Sequence, residues 1–213
     1  MRYRLAACLP GSLWLALAFA APSSDTAAAM RVEGFLGQLS SLRAEFRQIV
    51  TDAKGRVLER AEGTLSLARP GKFRWDYRVP EQQIVSDGVT VWLYDVELEQ
   101  VTVRAADEAL AGTPAMLLAG KDDLKDEFEI TDAGSQDGLE WSRLTPLQSD
   151  GDFREVRLGF VGSELRRMTF FDRLGQTTEI ELLKVERNPR FDSALFKFQP
   201  PPGVDVVGHA PAG

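Results

Sequence analysis

A mostly β fold of the α+β class is what this 213-residue sequence predicts, on three observations. Ten or so segments alternate apolar and polar residues with period two at near-regular spacing. Gly-marked turns join most of them as hairpins, which makes the sheet antiparallel. Helical patterns are few, short and segregated, one near the start and one in an interruption at 107–120.

The first element reads as a helix, because Val32, Phe35, Leu36 and Leu39 form one apolar stripe at i, i+3, i+4 and i+7. After Ser40-Ser41 the period changes to two, with Leu42, Ala44, Phe46, Gln48 and Val50 on one side of a strand. TDAKG (51–55) is a hairpin turn signal, RVLERAEGTLSLA (56–68) a second strand, and RPG (69–71) the next turn. A strand follows in which Phe73, Trp75 and Tyr77 share one face while Lys72, Arg74 and Asp76 share the other. SDG (86–88) is a tight turn before VTVWLYD (89–95) and LEQVTVR (98–104).

Between 107 and 120 the alternation breaks. Thr113-Pro114 starts a helix, with Pro at its first position, and Gly120 stops it. Its roughly six residues fall below the ~12–15 that an isolated helix needs, so its cluster of Met116, Leu117 and Leu118 must rest on something apolar. Strands then resume as EFEITDA (127–133), LEWSRLTP (139–146), FREVRLGFV (153–161), ELRRMTFFD (164–172) and TTEIELLKVE (177–186). NPRFDSALFKFQPPPGVDVV (188–207) ends the fold with a short helical turn, one strand and a rigid Pro-rich tail.

Residues 1–20 read as a secretory signal peptide. Arg2 and Arg4 form the positive region, LPGSLWLALAFAA (9–21) the apolar one, and Ala18-Phe19-Ala20 the cleavage rule. A later cut, after the alanines at 27–29, stays open, and residues 21–213 are expected to form one domain. The apolar run falls short of the ~20 residues needed to span a bilayer. Cys8 precedes that run, whereas a lipoprotein box follows it, so no lipid anchor is expected. With Cys8 removed, no disulfide holds the mature chain. Loss of the two arginines leaves 23 basic against 32 acidic side chains, a net charge of −9. That acidity, without a basic cluster, argues against nucleic acid or an anionic membrane as the main partner.

Enzymatic readings find little support. His209, the one histidine, stands in the C-terminal tail, which excludes a His-based triad in the body and any two-His metal site. Neither G-x-S-x-G nor a P-loop occurs. Asp150, Asp152 and the acids of KDDLKDEFE (121–129) match no calcium loop. A secreted hydrolase working through two carboxylates stays open, since their separation is invisible in sequence. No cofactor and no metal are expected.

Phe73, Trp75 and Tyr77 could simply fill the core of a sandwich. A large curved sheet, however, leaves an interior that side chains do not fill, and Met is common on adaptable binding surfaces. A curved apolar sheet under a weakly held lid is a container for a greasy ligand.

Four stretches, in order, resemble the periplasmic outer-membrane lipoprotein carrier proteins, the LolA family. They are SLRAEFRQIVTDAKGRV (41–57), ARPGKFRWDYRVPEQQIVSDGVTVWLYD (68–95), GTPAMLLAG (112–120) and FKFQPPPGVDVV (196–207). The resemblance runs from about Val32 to Val207. It implies an unclosed antiparallel β-barrel of about 10–11 strands, with short helices capping an apolar cavity. It also implies a non-enzymatic, monomeric periplasmic chaperone that takes lipoprotein acyl chains from an inner-membrane ABC-type exporter to an outer-membrane acceptor lipoprotein. On this reading Phe73, Trp75, Tyr77, Met116, Leu117 and Leu118 line the cavity. Arg69 latches the lid, where its fork of donors suits backbone carbonyls at a helix end. Ala115 stands where the family often has an aromatic, which bears on how far the lid fills the empty cavity. The acceptor lipoprotein and a periplasmic lipid sensor are the alternatives on the same fold.

Overall fold

The computed structural model describes residues 23–106, 109, 114–120, 124–148 and 151–210, without the side chains of 114–116. The signal segment 1–20, Cys8 and Asp150 lie outside the described residues, as do the side chains of Ala115 and Met116.

Helix α1 (Ser24–Gly37) opens the described chain, and Ser23 caps it by accepting the Thr26 N–H on its hydroxyl. Twelve strands follow: β1 (Ser41–Thr51), β2 (Val57–Ala68), β3 (Lys72–Val79), β4 (Glu81–Asp87), β5 (Thr90–Asp95), β6 (Gln100–Ala105), β7 (Phe128–Gln136), β8 (Leu139–Pro146), β9 (Phe153–Val161), β10 (Glu164–Asp172), β11 (Thr177–Arg187) and β12 (Asp205–Gly208). Helices α2 (Pro114–Ala119) and α3 (Leu124–Glu127) lie between β6 and β7, and a 3₁₀ turn spans Ser193–Phe196.

All twelve strands form one sheet, in the order β12-β6-β5-β4-β3-β2-β1-β11-β10-β9-β8-β7. Its two end strands are not paired to each other, so the barrel is unclosed, as expected. Two differences from the sequence reading stand out. The run after RPG is a hairpin of two strands, β3 and β4, with Arg78 opposite Glu81 across Val79-Pro80. Proline supplies no ladder donor, and the polar Gln82-Gln83 pair hides the alternation of β4, so this twelfth strand went unread. The C-terminal strand follows the prolines instead of preceding them, and β12 pairs parallel with β6 while the other pairs are antiparallel.

The topology places the lid. Strand β6 lies near one end of the sheet and β7 at the other. The chain from 106 to 127 must therefore travel across the sheet, and α2 packs on β2 and β3 on the way. Helix α1 packs on β7 and β8, burying Ala28, Val32, Phe35 and Leu36, and Phe35 meets Phe160 edge-on at 5.7 Å. Helices and inner sheet face enclose one core, running from Leu42, Phe46, Phe73 and Trp75 through Leu117 and Leu118 to Leu158, Phe160 and Phe170.

A second apolar cluster covers part of the outer face. Val85, Val101, Val103 and Phe196 are buried yet stand outside the main core. The 3₁₀ turn packs on β3 and β4, and Phe198 lies 6.2 Å from Trp92 and 5.9 Å from Tyr94. The C-terminal segment is thus a strap on the outside of the sheet. Among the described residues, no helix is long and apolar enough to cross a membrane.

Candidate functional site: a lidded aromatic face

Register builds the aromatic face. Phe73 stands opposite Leu67 and Ser86, Trp75 opposite Leu65 and Ile84, and Tyr77 opposite Gly63 and Gln82. Residues directly opposite share a face, so the side chains from β1 to β4 gather into one apolar floor. Phe46, which stands opposite Gly63 from β1, packs edge-on to both Trp75 (5.3 Å) and Tyr77 (5.0 Å). Trp75 and Tyr77 stack at 6.3 Å with 9° between their planes.

Gly63 makes this cluster fit. A Cβ there would stand 1.9 Å from the Asp76 carbonyl oxygen and 2.9 Å from the Phe46 ring. Only a residue without a side chain lets Phe46 and Tyr77 meet across β2. Tyr77 is half-buried, and its hydroxyl reaches Gln48 Oε1 at 3.5 Å. Loss of hydration pushes its phenol above the usual tyrosine range, with the negative charge of Glu59 adding to the shift.

Lid and floor meet at the RPG turn. Gly71 adopts φ +72°, a left-handed conformation that favours glycine, and its N–H donates to the Ala119 carbonyl at 2.8 Å. The Arg69 guanidinium donates twice to the Gly120 carbonyl, from Nε at 3.2 Å and Nη2 at 2.8 Å, and once to the Leu36 carbonyl, from Nη1 at 2.7 Å. Those carbonyls stand at the C-terminal ends of α2 and α1, where the helix dipole places partial negative charge, and the Leu36 carbonyl also accepts the Leu39 N–H at 3.1 Å. One cation thereby holds both helix ends. Arg69 was expected at the lid; its bond to α1 was not.

Residues that sequence reasoning missed hold this turn in place. Ser86 is fully buried, donates its hydroxyl to the Gly71 carbonyl at 2.8 Å and accepts the Gly88 N–H at 3.2 Å. Asn188 accepts the N–H groups of Ser40 and Ser41 on Oδ1 and donates to the Gln38 carbonyl, tying the end of α1 to β1. Its φ of +57° is one that Asn tolerates, and Asn-Pro after a strand was the available signal. The Arg187 guanidinium lies 5.1 Å over the Phe35 ring, a further hold on α1.

The structure brings Phe73, Trp75, Leu117 and Leu118 into one contiguous cluster with Tyr77 at its margin. Phe73, Trp75, Leu117 and Leu118 are only 2%, 3%, 3% and 1% exposed. Lid and floor are therefore packed on each other. A cavity of about 300 Å³ lies on the opposite, outer face, where Trp141, Arg157, Arg167, Phe171 and Glu179 line it with mixed polar groups. Among the described residues, no cluster of His, Cys, Asp or Glu could hold a metal ion.

An unclosed sheet thus carries an aromatic inner face beneath helices tethered at one turn. The family model described as "Outer membrane lipoprotein carrier protein LolA" matches residues 37–199, and the chain belongs to that family. Two similar proteins are outer-membrane lipoprotein carrier proteins. That of Dechloromonas aromatica (strain RCB) is 46% identical over 179 residues, covering 84% of this chain and 86% of the relative. That of Methylobacillus flagellatus is 46% identical over 178 residues, covering 83% and 87%. Among solved structures, an uncharacterized conserved protein from Thermus thermophilus superposes with a TM-score of 0.55 at 15% identity, over 87% of this chain and 99% of that one. That likeness is one of fold.

Proposed function

We propose that this protein is a periplasmic chaperone that shields the acyl chains of lipoproteins, receiving them from an inner-membrane ABC-type exporter and yielding them to an outer-membrane acceptor lipoprotein. The single observation that carries the reading is the Arg69 fork on the ends of α1 and α2 above the aromatic floor. Family membership and the names of the relatives support the cargo and the route.

The mechanism is a balance of burials. Each buried CH₂ of a lipid chain contributes about 0.8 kcal/mol. Ten would contribute roughly 8 kcal/mol, a micromolar affinity before costs, and several whole chains would bind too tightly to leave. Loading must displace Leu117 and Leu118 from the floor and break the bonds of Arg69. That cost lowers net affinity and lets an acceptor take the cargo. Transfer on this scheme needs no chemistry from the chain; energy enters at the exporter.

The test is acceptor-dependent release from Arg69→Leu. The variant lacks the hydrogen bonds of a charged donor to two carbonyls, and the loss of even one such bond, about 2 kcal/mol, weakens the closed state at least ~30-fold. Cargo should load and then stay bound. Release at the wild-type rate would show that Arg69 is no latch. Mass spectrometry of protein purified from periplasm tests the cargo separately and should find acylated peptides.

A further inference from the structure

The indole of Trp75 has no counterpart to its one polar group. Nε1–H is buried and has no hydrogen-bond acceptor among the described residues, and the residue is 3% exposed. Indole nitrogen is a donor only, and a buried donor left unpaired costs about 1–3 kcal/mol. The ring cannot turn to find an acceptor without breaking the stack on Tyr77 and the edge contact with Phe46. A Phe at this position would occupy the floor without that penalty, yet the floor carries a fixed donor with no acceptor.

Resting on the carrier reading above, we propose that the Trp75 Nε1–H donates to the carbonyl oxygen that joins an acyl chain to its headgroup, so that the site selects acyl esters and amides over plain hydrocarbon chains. Hydrocarbon is recognised by area alone, which does not distinguish a lipoprotein from any other lipid tail. A buried donor that only a carbonyl can satisfy adds direction. It anchors the polar end of the chain at Trp75 and penalises ligands that leave the N–H unpaired. Ester and amide carbonyls share this acceptor chemistry, and the donor reads either.

The experiment uses two probes that differ by one carbonyl, tri(ethylene glycol) monopalmitate and tri(ethylene glycol) monohexadecyl ether, each competed against a fluorescent hydrophobic dye on the mature protein. Wild type should prefer the ester by about tenfold, and Trp75→Phe should bring the two affinities within about twofold. Independently of any variant, the Trp75 indole N–H resonance in ¹⁵N-labelled wild type should move downfield with the ester and not with the ether. An equal preference in wild type and Trp75→Phe, or an indole resonance that the bound ester leaves unmoved, overturns the proposal. Should Trp75→Phe fail to fold, the resonance in wild type decides alone. Failure of both probes to bind wild type would instead sink the carrier reading, and this inference with it.

Discussion

Arg69 and Tyr77 are the single side chains with the most specific surroundings at the lid and the floor. Arginine suits its position because one planar fork reaches two carbonyls on different helices, which the point charge of a lysine cannot do with the same geometry. Tyr77 makes a prediction about alkaline pH. Its folded-state pKa is raised above the ordinary 10.0 by burial, so between those values the folded chain holds a proton that the unfolded chain has lost. Stability from this group is whole below pH 10 and falls as the pH rises beyond it. Denaturant titrations from pH 9 to 11.5 should show a decline in wild type that is shallower in Tyr77→Phe. Parallel declines would show that Tyr77 is not what fails.

At the scale of elements, α2 is too short to stand alone and derives its stability from what it covers. Leu118 is 1% exposed, and truncating a buried leucine in a closed core costs about 2–5 kcal/mol. Leu118→Ala should lose less than that in global unfolding, because the chain can open the lid instead of unfolding. The loss should appear as greater binding of a hydrophobic dye and faster hydrogen exchange across 114–119. A full-sized loss of global stability with unchanged dye binding would make α2 part of the core and no lid. Helix α1 is held differently. Arg31 reaches Ser142 and Glu140, and Asp25 accepts the Asp132 N–H. The fully buried Ala28 adds to this hold.

Across the whole molecule, the sheet separates two apolar clusters with different duties. The inner one receives the lid. The outer one, under the C-terminal strap, is closed by Phe196, which is 3% exposed and packs edge-on to Phe191 at 5.5 Å. Phe196→Ala should cost about 3–5 kcal/mol of unfolding free energy, while the variant, at temperatures where it remains folded, binds dye and cargo with wild-type affinity. A matching loss of cargo affinity would show that the two faces are coupled through the sheet.

Period-two alternation and glycine turns carried most of this fold in the chain itself, because local spacing decides which face a side chain takes. Strands β8, β9 and β10 have the bounds that their sequence pattern implies, and the aromatic strand, Arg69 before it and the short helix at Pro114 were all legible. Strand β4 was not, since Pro80 and the glutamines disguise a hairpin as one run, nor was the placing of β12 beyond the prolines. Neither the partner strands nor the objects of Arg69 are local properties. The pairing of β1 with β11, the carriage of the lid from β6 to β7 and the meeting of two helix ends at one guanidinium join residues far apart in the chain. Sequence alone determined an apolar face and a helix that needs one; tertiary structure decided that the helix lies on that face, that its leucines are buried in the same core, and that a single indole N–H there is left without an acceptor. Closure of long loops is governed by the burial and hydrogen bonds gained at the far end, which no window of sequence contains.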